Sequence, residues 1–382
     1  MITRGPLAYA GFAGLACLLA VPALSGQTKS GAKAAAARDA VVATVNGQKI
    51  MRLDIANEVL DDQAARLRAT NPQFQDRARP IAGSIGALVM KRMASSGNKP
   101  ISITRSDIIE WLFTEKPPVL KDAVQNRIRE VAIIQYARAR GVTVSNASIE
   151  KQVAAAINNA RTQLRLQGKS DAMVLKELGY RPGTIRRGVI TSLYLEGVMK
   201  KELEAKIGHP LGADDYREGR HILIRVNAQP PIPEAGGDTP PSAPDTEAAF
   251  AEAKKKIDAI AQEIANKVKT FEQAAKDSSD DTSKFQEGSL GVFIRGQMVQ
   301  EFEAVAFELP VGVVSQPVRS AFGWHLIRID KLGKDIPAAE REKTWQSYMR
   351  SHVQGKVTEI MNAAKVVNKV GPPEQPSFPA MR

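Results

Sequence analysis

Arg220-His221-Ile222-Leu223-Ile224 and Phe322-Gly323-Trp324-His325-Leu326-Ile327 are the two stretches whose reading decides the fold. In each, a histidine sits at the head of an apolar run too short for a helix and bounded by polar residues, the signature of a buried strand. Gly323, just before the second run, permits a close backbone approach that a side chain would block. The chain has only 4 histidines, so two of them at the heads of buried strands need a reason.

Between these strands lie Gly288-Ser289-Leu290-Gly291-Val292-Phe293, then Gly296-Gln297-Met298, then Phe302. The patterning predicts strands at Leu290–Ile294, Val314–Val318 and Trp324–Leu332, beside a first strand at His221–Val226. A helix is expected across Val299–Phe307 and another at Ala248–Val268, with Lys254, Lys255 and Lys256 on its wet side. Thr270-Phe271-Glu272-Gln273 reads as a capping box opening a short helix. Residues 227–244 hold six prolines and two adjacent glycines and read as a long loop. Strand, helices, strand, helix and two strands give an α+β domain: an antiparallel-rich four-stranded sheet with flanking helices, over 214–334.

Upstream the pattern is helical. Val41 to Ile50 alternate around Asn46-Gly47, a strong hairpin signal. A helix should follow from Leu53 to about Arg68. Residues 72–118 carry prolines and glycines, with one helix opening at Thr104 or Ser106. Further helices are expected from Val119 to Arg140, from Ser145 to Gly168, at Ala172–Leu178 and from Pro182 to Ile207, with Gly141, Gly179 and Gly208 as stops. In the last of these, Ile185, Val189 and Leu193 form an apolar face read as core. Residues 40–210 thus form a mostly helical domain. Ala338–Val366 reads as a long C-terminal helix within 335–368, and 369–382 as a Pro-rich disordered tail.

At 382 residues the chain has room for more than one core. Arg4, the apolar stretch Leu7–Leu24 and the small residues Ser25 and Gly26 read as a signal peptide over 1–26, followed by a flexible spacer over 27–39. An uncleaved membrane anchor is the rival reading, disfavoured by the Gly, Ala and Pro22 that dilute the stretch. Cys17, the only cysteine, lacks the upstream leucine of a lipidation site. Its removal with the signal would leave an exported, periplasmic chain without thiols. The net charge of +12 is scattered rather than clustered with aromatics, which argues against nucleic acid. It leaves attraction to acidic client segments or peripheral association with a membrane surface.

The ordered phrases His-Ile-Leu, Ser-Asp-Asp before Gly-Ser-Leu-Gly, Gly-Gln-Met and Phe-Gly-Trp-His resemble the parvulin (PpiC-type) family of peptidyl-prolyl isomerases, over about 220–333. With the signal and helical arm, the whole chain looks like the SurA-type and PrsA-type exported foldases, more loosely over 40–210. The resemblance implies that the terminal helix returns to pack on the helical arm. It implies a prolyl pocket of Leu290, Met298 and Phe302, with Phe322 at the rim where relatives carry serine. His221 and His325 would be paired imidazoles with Ser320 in their hydrogen-bond network, and Asp281 would act electrostatically. Ser279 and Asp280 are expected to cap the local turn. Unfolded or nascent exported proteins with Xaa-Pro bonds are the implied partners.

Prolyl isomerisation breaks no covalent bond, so neither cofactor nor metal is expected. The loop 227–245 contains no Lys or Arg, so phosphoserine preference is not expected. Taken singly, each of these residues would also pass as ordinary core. Asp277, Asp280 and Asp281 lack the spacing of a calcium loop, and no serine sits in a nucleophile elbow. The competing function is a non-catalytic periplasmic holdase that keeps the parvulin fold as a binding module.

Overall fold

Asn46 and Gly47 take the positive φ angles, 47° and 85°, that a tight hairpin turn demands. They join β1 (Val41–Val45) to β2 (Gln48–Met51) at the start of the described chain. The structure, a computed structural model, describes residues 40–69, 72–96, 103–226 and 246–371. The expected signal peptide, spacer, proline-rich loop and most of the tail lie outside these residues. Seven helices follow: α1 (Arg52–Arg68), α2 (Pro72–Ser96), α3 (Arg105–Glu115), α4 (Pro118–Ala139), α5 (Asn146–Gln163), α6 (Asp171–Leu178) and α7 (Pro182–Ile207). Then come β3 (Tyr216–Arg225), α8 (Thr246–Ala265), α9 (Phe271–Ser278), β4 (Ser289–Ile294), α10 (Gln300–Ala306), β5 (Val318–Ser320), β6 (Gly323–Leu332), α11 (Ala338–Ala363) and β7 (Val366–Asn368). The described residues form two compact units, those within 199–354 and those on either side of them. Both boundaries fall inside helices, α7 and α11, rather than in linkers.

In the discontinuous unit, local chemistry sets most helix ends. Thr104 caps α3 in a reciprocal box with Asp107, whose carboxylate accepts from the Thr104 N–H at 2.8 Å. Pro118 opens α4, and Ser145 and Ser170 cap α5 and α6. Helix α2 was not expected: Pro80, Gly83 and Gly86 all fall inside it. Packing outweighs propensity there, for Ile85 is fully buried against Leu60, Ala64 and Ile108. In α7 the Ile185–Val189–Leu193 stripe is only half-buried. The core face is instead Tyr194, Leu195, Val198, Met199 and Leu203.

The C-terminal helix is shorter than expected. It stops at Ala363, and Val366–Asn368 pairs antiparallel with β1 as the third strand of a β2-β1-β7 sheet. Two adjacent β-branched valines favour this, and Asn46 fixes it. The Asn46 N–H donates to the Lys365 carbonyl at 2.9 Å, and its side-chain oxygen accepts from the Lys365 N–H at 2.8 Å. Order continues past the strand: the Lys369 N–H donates to the Val42 carbonyl and Val370 is buried, so residues 369–371 are not part of a disordered tail.

The other unit is built on a four-stranded antiparallel sheet, order β4-β3-β6-β5. β3 begins at Tyr216, earlier than His221, because Arg217, Glu218 and Gly219 pair on both sides despite their polarity. β5 is later and shorter than expected, and Val314 makes only an isolated bridge to Arg328. Alternation divides the sheet's faces. Ile222, Ile224 and Leu326 pack with Phe250, Ile257 and Phe271 of α8 and α9. Phe293, Ile327 and Ile329 pack with Phe302 and Ala306 of α10. Each fully buried side chain of this size contributes roughly 1.5–3 kcal/mol. Among the described residues, no helix is long and apolar enough to cross a membrane.

Candidate functional site

His221 pairs with Ile327, and Leu223 with His325, so the two imidazoles leave neighbouring strands on one face, the face that packs on α10. They lie 7% and 4% exposed. Their rings stack with centroids 5.6 Å apart, and the two Nδ1 atoms are 3.4 Å from each other. The β5–β6 pairing brings Ser320 beside them, its Oγ 2.7 Å from His325 Nε2.

Asp281 arrives from the connection between α9 and β4. That connection is tied to β3 where β4 has ended. The Leu223 N–H donates to Ser279 Oγ, the Asp280 N–H to the Leu223 carbonyl, and the Arg225 N–H to the Asp280 carboxylate. Ser279 caps the local turn as expected, its Oγ accepting from the Asp281 N–H at 3.3 Å, and with Asp280 it also anchors the segment to β3. Asp281 makes a second cap, accepting from the Ser283 N–H at 2.8 Å at the head of a 3-10 turn, Thr282–Gln286. Its other neighbour is His221 Nε2, 3.2 Å away but outside hydrogen-bond alignment.

Electrostatics give this line a direction. Burial works to raise the Asp281 carboxyl, but hydrogen bonding at Ser283 and the His221 imidazole outweigh it and hold it down at about 2. Burial lowers His221, only partly opposed by Asp281, and burial with the neighbouring His221 lowers His325 to about 4. At neutral pH the carboxylate is ionised and both imidazoles are neutral. An ionised carboxylate only accepts, so His221 carries its proton on Nε2. His221 Nδ1 is then an acceptor, His325 must donate to it from Nδ1, and His325 Nε2 must accept from the Ser320 hydroxyl. Ser320 Oγ is free to donate, because it accepts from the Phe322 N–H at 3.1 Å.

The apolar half stands against this line. Phe302 meets both imidazoles edge-on, with centroids 5.9 Å from His221 and 5.7 Å from His325. At 3% exposed it supports the imidazoles and offers little surface. Leu290 and Met298 pack on the same cluster but are half-buried, so they present apolar surface. The Met298 N–H donates to Glu303 at 2.9 Å, and Gln297 exchanges hydrogen bonds with the backbone of Ile294, which fixes that corner. The structure thus brings His221, Asp281, His325, Ser320, Leu290, Met298 and Phe302 together. Phe322 holds the turn through its N–H while its side chain is 50% exposed and in neither apolar cluster.

Sequence reading missed Arg225 and Glu303. Arg225 shares a strand face with His221 by alternation, and its guanidinium is 4.0 Å from Asp281. The signal for Glu303 was an acid in the first turn of α10. The three nearby acids do not converge: Asp277 pairs with Lys269, Asp280 with the Arg225 backbone and Asp281 with His221.

Residues 221–331 match the PPIC-type PPIASE domain, or rotamase, family. The chaperone SurA of Chromobacterium violaceum is 38% identical over 137 residues, 36% of this chain and 27% of that protein. The foldase protein PrsA of Staphylococcus aureus is 30% identical over 158 residues, 41% of this chain and 45% of that protein. The chain therefore spans less than half the length of either relative. Among solved structures, the peptidylprolyl isomerase PrsA of Bacillus anthracis is 22% identical, covering 63% of this chain and 96% of that one, with a TM-score of 0.33.

Proposed function

We propose, on the premise that residues 221–331 are a PPIC-type PPIASE domain, that this protein is a peptidyl-prolyl cis–trans isomerase and folding chaperone for exported unfolded polypeptides. The observation that carries the reading is the contiguous Ser320–His325–His221–Asp281 line, each member within 3.4 Å of the next, beside the half-buried Leu290 and Met298. The barrier to be lowered, about 18–20 kcal/mol, is amide resonance, and it falls when the C–N bond twists. An apolar surface that grips the pyrrolidine ring lets the rest of the chain rotate about it, and twisting removes charge from the carbonyl oxygen. A fixed carboxylate at Asp281, held ionised, opposes the charge-separated planar amide and favours the twisted one.

The imidazoles stay neutral and hold that carboxylate and the pocket in register, so no covalent step is involved. Arg225 is the cation closest to Asp281 in the site, and without a basic cluster in the adjoining loop the domain has no phosphoserine requirement. Export to the periplasm rests on the apolar Leu7–Leu24 stretch and on the similarity to SurA and PrsA.

The test is protease-coupled isomerisation of unphosphorylated Ala-Xaa-Pro-Phe peptides by the full chain and by Met298→Ala. Wild-type turnover that falls at least about tenfold in the variant is expected, corresponding to about 1.4 kcal/mol of lost transition-state stabilisation. A folded wild type without turnover would replace this reading with the holdase.

A further inference from the structure

Asp281 sits on a connection outside the sheet, yet its carboxylate comes to 3.2 Å from His221 Nε2. Ser279, two residues earlier, meets three separate parts of the fold. Its N–H donates to the Ala275 carbonyl at 3.1 Å and closes the last turn of α9. Its Oγ accepts from the Leu223 N–H of β3 at 3.1 Å and from the Asp281 N–H at 3.3 Å. Leu223 follows His221 by two residues on the same strand face and stands opposite His325 in the β3–β6 pairing. One oxygen therefore joins the backbone that carries the imidazoles to the backbone that carries the carboxylate. Ser279 and Leu223 are each 3% exposed.

The other ties of the segment do not replace this oxygen. The Asp280 N–H donates to the Leu223 carbonyl at 2.8 Å, and the Arg225 N–H to the Asp280 carboxylate at 2.9 Å; both hold residue 280 and neither holds the Asp281 backbone. The Ser283 N–H belongs to the turn that Asp281 opens and would travel with it. The end of α9 does not need the hydroxyl either, because a backbone N–H closes it. Without Oγ, the Leu223 and Asp281 N–H groups lose their acceptor, and a buried N–H left unpaired is costly. Water can satisfy Leu223 only by parting residues 279–281 from β3. A misplacement of about an ångström is enough to cost a reacting geometry about a hundredfold in rate.

On the isomerase reading above, we propose that Ser279 is a positioning residue for the reaction: its single hydroxyl oxygen fixes the Asp281 carboxylate against His221. The position can be read without turnover. His221 keeps its proton on Nε2 because an ionised carboxylate, which only accepts, faces that nitrogen. With the carboxylate displaced, either ring nitrogen can hold the proton, so the tautomer of His221 reports where Asp281 stands.

The test compares the full chain with Ser279→Ala and with Ser279→Cys, which keeps the shape of the side chain but makes a poor acceptor. On an unphosphorylated Ala-Xaa-Pro-Phe peptide, kcat should fall about tenfold or more in both, with KM within about twofold because Leu290 and Met298 are untouched. Long-range proton–nitrogen spectra at neutral pH should show His221 as a mixture of tautomers in the variants and as Nε2–H in the wild type. A role confined to stability would lower the denaturation midpoint and leave kcat and the tautomer of the folded variant unchanged, and that result overturns the proposal. So does a wild-type His221 tautomer in a folded variant, whatever its kcat. Should Ser279→Ala fail to fold, Ser279→Cys decides alone on the same two readouts. A wild type without turnover removes the isomerase reading and leaves the His221 tautomer to decide whether Ser279 positions Asp281.

Discussion

Each proton in the line from Ser320 to Asp281 has one place to sit, and that makes the residue scale testable. At neutral pH, long-range proton–nitrogen spectra should show His325 protonated at Nδ1 and His221 at Nε2; an Nε2–H tautomer of His325 would break the assignment. The pH dependence follows in sign. The folded His325 imidazole titrates near 4 whereas an unfolded histidine does so near 6.5. Between those values the unfolded chain binds the extra proton, so stability falls as pH drops from about 6.5 to about 4, by up to about 3 kcal/mol. Asp281, folded at about 2 against 3.8, loses its smaller contribution below that window. Denaturant midpoints from pH 7.5 to 4 should decline, and His325→Gln should flatten that decline. Isomerase turnover should hold level down to about pH 5; a midpoint near 6.5 would mean that an imidazole of the site titrates as though exposed.

At the scale of elements, the β5–β6 turn is the tightest joint of the site. Gly323 has φ of +138°, and a Cβ there would lie 2.1 Å from the Ile224 carbonyl oxygen. Gly323→Ala must push β3 from β6 two residues before His325 and next to the Phe322 N–H that engages Ser320. A loss of about 2–4 kcal/mol in chemical denaturation is expected, with a fall in turnover; an unchanged midpoint would mean that the backbone there relaxes freely. This joint was legible beforehand, because a glycine directly before an apolar strand has few other uses. The convergence of His221, His325 and Phe302 was legible only through the resemblance to the parvulin family, because periodicity places each side chain on a face of its own element but does not bring two strands and a helix together. Helix α2 was not, because its register is set by Ile85 packing on Leu60 and Ile108, while Pro80 and its glycines argue locally for a loop. Nor was the true core face of α7: Ile185, Val189 and Leu193 are as apolar as the residues that won burial, and only the neighbours decide. The start of β3 stayed hidden because Arg217 spends its guanidinium on the carbonyls of Asp214, Tyr216 and Phe307, a satisfaction that sequence does not display.

At the scale of the whole molecule, the first and last described strands are partners. Residues 366–368 complete a sheet begun at Val41, so the discontinuous unit is finished only when those residues have been made. A short valine pair after a long helix reads as a fraying end, and its role depends on a hairpin more than three hundred residues earlier in the sequence. Ending the chain after Ala363 would remove the Asn46–Lys365 and Val42–Lys369 hydrogen bonds and uncover the surface that Val370 buries against. At about 1 kcal/mol for each hydrogen bond and somewhat more for the valine, the cost is about 3–5 kcal/mol. Amide exchange at Asn46 should accelerate accordingly, and the thermal transition of the helical unit should move down. Every residue of the proposed prolyl site lies within 199–354, so turnover on short peptides should survive the truncation at temperatures below that transition. Unchanged exchange at Asn46 would show that β1 and β2 hold without their third strand.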